Sequence, residues 1–374
     1  MHVVQINFLP APHGRTAAEV FEQWPSLVDI AEAVASSGTR VTVIQVATRA
    51  ERVTRQGIDY HFAELGAAHA SNRGRLLAGV LGELKADILH AHSLGFAEDA
   101  FAVARNMPRL PIIFQDHADR PPPWWRTAQW RRWYATASGV AFTALEQARP
   151  FTRARLFAPR TRLFAIPESS TRFVCGSRQR ARQVTGLHGD PCVLWVGHLS
   201  AGKDPLTVLD GVARATRHLP GLQLWCAFGS APLHRAVQRR IERDPRLSGR
   251  VHLLGKVEHA RVESLMQAAD LFVSGSRAES CGYALLEALA CGVPPVVTDI
   301  PSFRALTGNG RVGSLWPCGD AVKLADALVR SAAGSLSPQH VRAHFDATLS
   351  FTALGRRWAD AYAQVHAERP RKVP

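Results

Sequence analysis

The segment SRAESCGYALLEALACGVPPVV, from Ser276 to Val297, is nearly apolar, yet it carries Glu279 and Glu287 with seven residues between them. Gly282 interrupts the run just before an apolar helical stretch that begins near Tyr283. That spacing puts Glu279 in a strand-to-helix loop and Glu287 one to two turns into the helix. At a rise of ~1.5 Å per residue the two carboxylates lie at most about 12 Å apart along the axis. This is about the reach of a sugar joined to a nucleoside through a diphosphate. A helix start also offers N–H groups without intrahelical partners and the positive end of the helix dipole, both of which suit a phosphate. Glu279 would then hold sugar hydroxyls, the backbone of Cys281, Gly282, Tyr283 and Ala284 the diphosphate, and Glu287 the ribose. Read alone, the pair is more simply a helix-surface glutamate and a helix N-terminal charge.

A second cluster changes that balance. The apolar run CVLWVGHL leads into SAGKDPLTVLDGV. Gly197 would let the backbone turn tightly at the carboxyl end of a strand. Lys203 stands just before the next helix, where an ammonium meets a phosphate as a point charge. His198 would add a second, pH-dependent positive group.

The elements that must carry these residues alternate. HVVQINF, RVTVIQV, DILHAH, PIIFQDH and GVAFTA read as short buried strands. SLVDIAEAVASSG, RLLAGVLGELKA and FAEDAFAVARN read as helices between them, the first with Ser26 as its N-cap and Gly38 past its end. The second half repeats the scheme with PCVLWVG, LQLWCAFG, RVHLLG, DLFVSG and PPVVTD as strands. Short strands rich in Val and Ile, separated by helices, predict parallel sheets with right-handed crossovers. The domains predicted are 1–166, a linker at 167–174, 175–350, and a C-terminal helix and tail at 351–374. Leu354, Trp358, Tyr362 and Val365 form one stripe of that helix, which would close the second domain or cross back to the first.

Composition narrows the function classes. The chain has 374 residues, a size suited to two domains. No apolar run reaches the ~18 residues needed to span a bilayer, and MHVVQINFLPAPHG lacks the basic start of a signal peptide. The cytoplasm is the expected location. Six cysteines without C-x-x-C or zinc spacing read as small buried thiols in a reducing compartment. The net charge of +14 invites an anionic partner, but only five of the 45 basic residues are lysines and the charge is spread along the chain. A general arginine bias explains this as well as a nucleic-acid partner does, and no nucleic acid is expected; an anionic ligand or membrane surface is compatible.

Across residues 192–335 the sequence resembles the nucleotide-sugar-binding domain of retaining glycosyltransferases of family 4, which have the GT-B fold. The matching stretches are VGHLSAGKDPLTVLDG, VHLLGKVEHARVESLMQAADLFVSGS and AESCGYALLEALACGVPPVVTD. The family's E-x7-E motif falls on Glu279 and Glu287. The first half matches only by topology and by fragments such as DILHAHS and FQDHAD. The resemblance implies an α/β fold of two Rossmann-like parallel-sheet domains facing each other across a cleft. It implies a nucleotide-sugar donor, a hydroxyl acceptor of unspecified kind, retention of configuration, and no metal or other cofactor. It gives catalytic roles to Glu279, Lys203 and His117. It puts Val257 near the base and brings Gly197, His198, Gly14, Glu287 and the backbone from Cys281 to Ala284 to the donor. His198 stands where the family usually has Arg, Cys281 where it has Phe, and Pro167–Ser169 where it has Pro-Asn-Gly; the glycine-rich loop after the first strand is reduced to Gly14. An alternative within the fold is a non-catalytic protein that binds nucleotide or glycan and partners an active transferase. An epimerase or phosphorylase reading lacks a motif of its own.

RPPPWWRTAQWRRWY holds four of the nine tryptophans. Trp124, Trp125 and Arg126 are the candidates for an acceptor platform or an interfacial anchor at the inner membrane face. Stacking of single-stranded nucleic acid is a remoter reading. The structural alternative is a helix with Trp130, Trp133 and Tyr134 in the core.

Overall fold

The computed structural model of the chain describes residues 1–65, 69–334 and 336–368. These fall into two compact units, residues 1–169 with 351–374, and residues 170–350.

Unit 1 is built on strands β1 (His2–Asn7), β2 (Arg40–Ala47), β3 (Glu51–Arg55), β4 (Ile58–Glu64), β5 (Ile88–His92), β6 (Ile112–Gln115), β7 (Ala137–Phe142) and β8 (Arg162–Ala165). Their spatial order is β3-β4-β2-β1-β5-β6-β7-β8. Only the β3–β4 hairpin is antiparallel. Helices α1 (Ala17–Gln23), α2 (Pro25–Ser36), α3 (Ala70–Glu83), α4 (Ala97–Asn106), α5 (Thr127–Tyr134) and α6 (Arg149–Arg153) make the crossovers. Thr16 caps α1 reciprocally with Glu19. The cap of α2 is Trp24, followed by Pro25 in the first helical position, and not Ser26 as expected from sequence. Proline there costs no hydrogen bond and presets the helical φ.

Unit 2 carries α7 (Arg178–Thr185), β9 (Cys192–Gly197), α8 (Pro205–Ala215), β10 (Gln223–Phe228), α9 (His234–Glu242), β11 (Val251–Gly255) and α10 (His259–Ala268). It continues with β12 (Leu271–Ser274), α11 (Tyr283–Ala290), β13 (Pro295–Thr298), α12 (Pro301–Thr307), β14 (Ser314–Trp316), α13 (Ala321–Ala332) and α14 (Pro338–Thr348). The sheet is parallel throughout, in the order β11-β10-β9-β12-β13-β14.

The central strands of both sheets, such as β1, β2, β5, β6, β12 and β13, are buried on both faces, which is why they read as unbroken apolar runs rather than alternating ones. The final helix, α15 (Phe351–Ala367), belongs to unit 1. Leu354, Trp358, Tyr362 and Val365 are buried with Val3, Val28, Ile30 and Val43. Gly355 lets α15 pass close to α2: a Cβ there would collide with the Ala33 carbonyl oxygen.

Among the described residues no helix is long and apolar enough to cross a membrane. None of the six cysteines, all among the described residues, is in a disulfide. Cys192, Cys226, Cys281 and Cys291 are buried, but Cys175 and Cys318 are exposed, against the expectation that all are interior.

Candidate functional site

In both units the candidate groups gather where parallel strands end, the position that open α/β sheets use for ligands. In unit 2, β9 runs into a loop whose residues Ala201–Lys203 form one 3-10 turn. Gly197 is not the left-handed residue of this loop; Asp204, at φ 47°, makes the sharp turn into α8, with Pro205 beginning the helix. The Lys203 ammonium pairs with the Glu279 carboxylate. The two loops are also tied beside that pair. Arg277 donates its backbone N–H to the Gly202 carbonyl at 2.9 Å, and its guanidinium reaches the Asp204 carboxylate at 2.6 Å. Gly275 permits the approach, since a Cβ there would meet Val208 Cγ2 at 2.8 Å.

Gly282 stands at φ +90° immediately before α11, and a Cβ on it would lie 2.6 Å from the Phe303 ring. The Cys281 side chain is buried in the core, so it is the backbone that this position offers to the loop. Tyr283 is 43% exposed at the helix start. Glu287 is not a helix-surface residue: it is buried, and its Oε1 meets His259 Nε2 at 2.7 Å. That bond to Glu287 raises the His259 pKa above its ordinary value. Val257 is half-buried against the core. Ser230 N–H donates to His198 Nδ1 at 3.1 Å, so the imidazole proton lies on Nε2 and His198 faces its surroundings as an N–H donor.

In unit 1 the candidate is a cavity of about 430 Å³ lined by Asn7, Trp24, Phe96, His92, His117 and Glu168, among others. His117 follows β6. Its Nδ1 lies 2.9 Å from Glu168 Oε1 and its Nε2 3.2 Å from His92 Nδ1. His92 stacks on His90 at 4.6 Å between ring centroids. His90 Nδ1 lies 2.7 Å from the Tyr362 hydroxyl of α15. Burial holds His90 down to about 3 and His92 well below the usual histidine range, so both rings are neutral near pH 7. Burial, more than the nearby Asp119 and Glu168, lifts Asp116 to about 7. Asp119 fixes the loop: its carboxylate accepts from Leu94 N–H at 2.8 Å, Gly95 N–H at 3.0 Å, Ser93 Oγ at 2.8 Å and His117 N–H at 3.1 Å. Ser93 and Ala118 have φ of +71° and +64°, an uncommon region for residues with a Cβ. Gly14 lies in the exposed loop between β1 and α1, at φ +75°.

Comparison with known proteins bears first on unit 2. Residues 190–333 match the family described as Glycosyl transferases group 1. A D-inositol 3-phosphate glycosyltransferase of Nocardia farcinica is 27% identical over 263 residues, covering 65% of this chain and 58% of that protein. A GDP-mannose:cellobiosyl-diphosphopolyprenol alpha-mannosyltransferase of Xanthomonas campestris is 27% identical over 252 residues, covering 64% of each. The chain thus spans less than two thirds of the length of these relatives. Among solved structures, a glycosyltransferase from Rickettsia africae superposes with a TM-score of 0.71 at 13% identity, covering 97% of this chain and 98% of that one. Anabaena HepE in complex with UDP-glucose superposes with a TM-score of 0.66 at 19% identity, covering 97% and 100%. The fold is GT-B.

Within this GT-B chain, the tryptophan-rich segment divides. Trp133 and Tyr134 are buried and Trp130 packs against them. Trp124 and Trp125 are 83% and 67% exposed, in a 3-10 turn before α5, edge to face at 5.8 Å. Arg126 lies over the Trp130 ring at 5.9 Å. Among the described residues, no three His, Cys, Asp or Glu side chains are grouped to hold a metal ion.

Arg277, His259, His92 and Glu168 are among the site residues that the sequence does not single out. Arg277 and His259 lie inside stretches already singled out, but neither has a fixed spacing to a carboxylate. His92 stands in DILHAHS beside residues read only as strand. Glu168 stands in a segment read as linker, and its one signal is a carboxylate three residues after a strand end.

Proposed function

We propose that the chain is a retaining glycosyltransferase of the hexosyl type, moving a sugar from a nucleoside-diphosphate donor held by unit 2 to a hydroxyl acceptor held by unit 1. The observation that carries this is the Lys203–Glu279 pair beside the Gly282 helix start, with Glu287 eight residues on. A donor diphosphate would take the Lys203 ammonium and the sugar hydroxyls the Glu279 carboxylate, exchanging one charge-assisted contact for two. As the bond to the anomeric carbon breaks, charge grows on the departing diphosphate. Lys203, the His198 Nε2–H and the N-terminal amides of α11 meet that charge, with no metal required. Neither Glu279 nor Glu287 is read as a nucleophile; the acceptor attacks from the face the diphosphate leaves, and the leaving phosphate helps to take its proton. The relatives named above use GDP-mannose or bind UDP-glucose, so uracil and guanine nucleotides are the first donors to try.

Calorimetric titration of UDP, GDP, ADP and CMP, each alone and as the sugar nucleotide, with and without EDTA, tests the donor reading. One nucleotide series should bind with EDTA present, and the sugar nucleotide should turn over to free nucleotide when acceptors are supplied. Binding of none of them would overturn the assignment. Binding without turnover would leave a nucleotide-binding protein.

The same reading puts the chain in the cytoplasm at an anionic membrane face, through Trp124, Trp125 and Arg126. Indole rings and guanidinium groups suit the headgroup region. The chain should float with phosphatidylglycerol vesicles and lose that association in a Trp124→Ala/Trp125→Ala variant. Equal flotation of both proteins would remove the anchor.

A further inference from the structure

His92, His117 and Glu168 come from three separate strand ends, 25 and 51 residues apart in sequence, yet meet in one hydrogen-bonded line on the wall of the unit 1 cavity. A carboxylate only accepts, so the 2.9 Å contact requires the proton on His117 Nδ1. In the neutral ring His117 Nε2 is then bare. His92 Nδ1, 3.2 Å away, must carry a proton toward it. The neutral state of His92 then leaves its Nε2 without a proton, facing the acceptor Oε1 of Gln5 at 3.5 Å. Turning that amide would let Gln5 Nε2, which has no partner as placed, donate to it. Each tautomer in the line is thus fixed by the one before it, beginning at Glu168.

We propose that Glu168 is a positioning residue that holds His117 as its Nδ1–H tautomer, so that His92 Nδ1–H and His117 Nε2 together take one hydroxyl of an uncharged polyol in this cavity. This rests on the reading of unit 1 as the acceptor side. A hydroxyl is the group that fits between a donor and an acceptor, because it is both. It accepts from His92 and donates to His117, replacing the direct contact between the rings. A phosphate or carboxylate offers only acceptors to His117 Nε2 and would bring its charge close to Glu168. The remaining walls agree. Trp24, Leu27, Ile30 and Phe96 present apolar surface for the C–H face of a ring, and Asn7, Ser26 and Ser93 present polar groups for further hydroxyls. Asp119 and the left-handed Ser93 and Ala118 hold the loops that carry the two rings.

The test uses the full chain and long-range proton–nitrogen NMR of the imidazoles. In the wild type, His117 should show the Nδ1–H form, and myo-inositol or methyl α-D-mannopyranoside should shift the His92 and His117 signals. Inorganic phosphate should not. Glu168→Gln keeps an oxygen that can accept, and should keep the tautomer and the polyol shifts. Glu168→Ala should lose the tautomer and bind polyol about tenfold more weakly, the effect of one hydrogen bond. An Nε2–H form of His117 in the wild type, equal binding in Glu168→Ala, or no shift by either polyol at any soluble concentration would each overturn the proposal. Nucleotide binding on the same samples reports separately on unit 2. Its absence would sink the transferase reading while the His117 tautomer still judged this one. Loss of folding in Glu168→Ala, seen in its spectrum, would leave the Nδ1–H form and the Glu168→Gln result to decide.

Discussion

The two strand-end sites use opposite electrostatics. Unit 2 sets opposite charges against each other, a cation that reaches solvent on a largely covered carboxylate: Lys203 pairs with Glu279, Arg277 with Asp204, and the exposed ring of His259 with Glu287. Unit 1 buries its groups and strips them of charge: His90 and His92 are held neutral and Asp116 keeps its proton to about pH 7. The difference suits different ligands. A diphosphate is met by countercharge, whereas an uncharged hydroxyl is met by neutral groups whose tautomers are fixed. It also separates function from stability. The unit 2 cations keep 28% (Lys203), 56% (Arg277) and 73% (His259) of their side-chain surface in water, so screening limits what these pairs add to folding. Buried titratable groups strain the fold and make it pH-dependent.

The widest gap between the two should appear at Lys203. Lys203→Ala and Glu279→Ala should each lower transfer by a factor on the order of 10²–10³, the size seen when one preorganised charge contact is removed. The melting temperature should barely move. Full transfer in either variant would end the donor assignment; a large loss of stability instead would mean that this ion pair is structural.

Asp116 should behave the other way round. Burial raises its pKa from 3.8 to about 7, so between those values the folded chain binds a proton that the unfolded chain has released. Its contribution to stability is therefore least unfavourable at low pH and worsens as pH rises through about 7. Asp116→Asn removes the titration. The variant should gain on the order of 2–4 kcal/mol over wild type at pH 8, shrinking towards zero near pH 4, in denaturant titrations. Nucleotide binding should not change. A constant difference across that range would show that Asp116 titrates normally.

How far each site was legible in sequence follows the same division. Unit 2 draws its loops from contiguous stretches, so Gly282, Glu279, Glu287 and Lys203 could be found by spacing and by their place after a strand. The alternation of strands and helices disclosed both parallel sheets. The β3–β4 hairpin is hidden because ERVTR is mostly exposed and charged, and β8 because its four residues RLFA are exposed or half-buried and end just before the predicted linker at 167–174. Trp24 was passed over as a cap because its indole does not cap; Pro25 was the available signal. The Glu168–His117–His92 line has no spacing at all, since it exists only once three crossovers bring strand ends together.

Gly282 sharpens the contrast at the level of the backbone. Its φ of +90° opposes any side chain, and so does the Phe303 ring, 2.6 Å from where a Cβ would stand. Gly282→Ala should cost about 1–3 kcal/mol of stability and should weaken nucleotide binding by displacing the first turn of α11. Ala118 in unit 1 already tolerates a φ of +64° with a Cβ in place. Unchanged stability in Gly282→Ala would mean that Phe303 and the loop relax together.

The smallest effect lies at His259, where the two electrostatic regimes meet: an exposed ring on a buried carboxylate. The Glu287 bond raises the His259 pKa in the folded chain. The stabilisation from this pair is therefore fully present below the unfolded value of about 6.5 and lost as pH rises through the folded value. With the ring's side chain 73% exposed, screening limits the pair to no more than about 0.5–1 kcal/mol. His259→Ala should lower stability by that amount near pH 5.5 and by less near pH 8.5, where the neutral ring keeps only its Nε2–H donation to Glu287. If Glu287 also takes the donor's ribose, nucleotide affinity in the variant should change by a few-fold at most, because Oε1 loses its orienting partner while the buried carboxylate stays in place. A stability difference that grows with pH would reverse the sign argued here and would make His259 a neutral packing residue over Phe173, its ring neighbour at 5.0 Å.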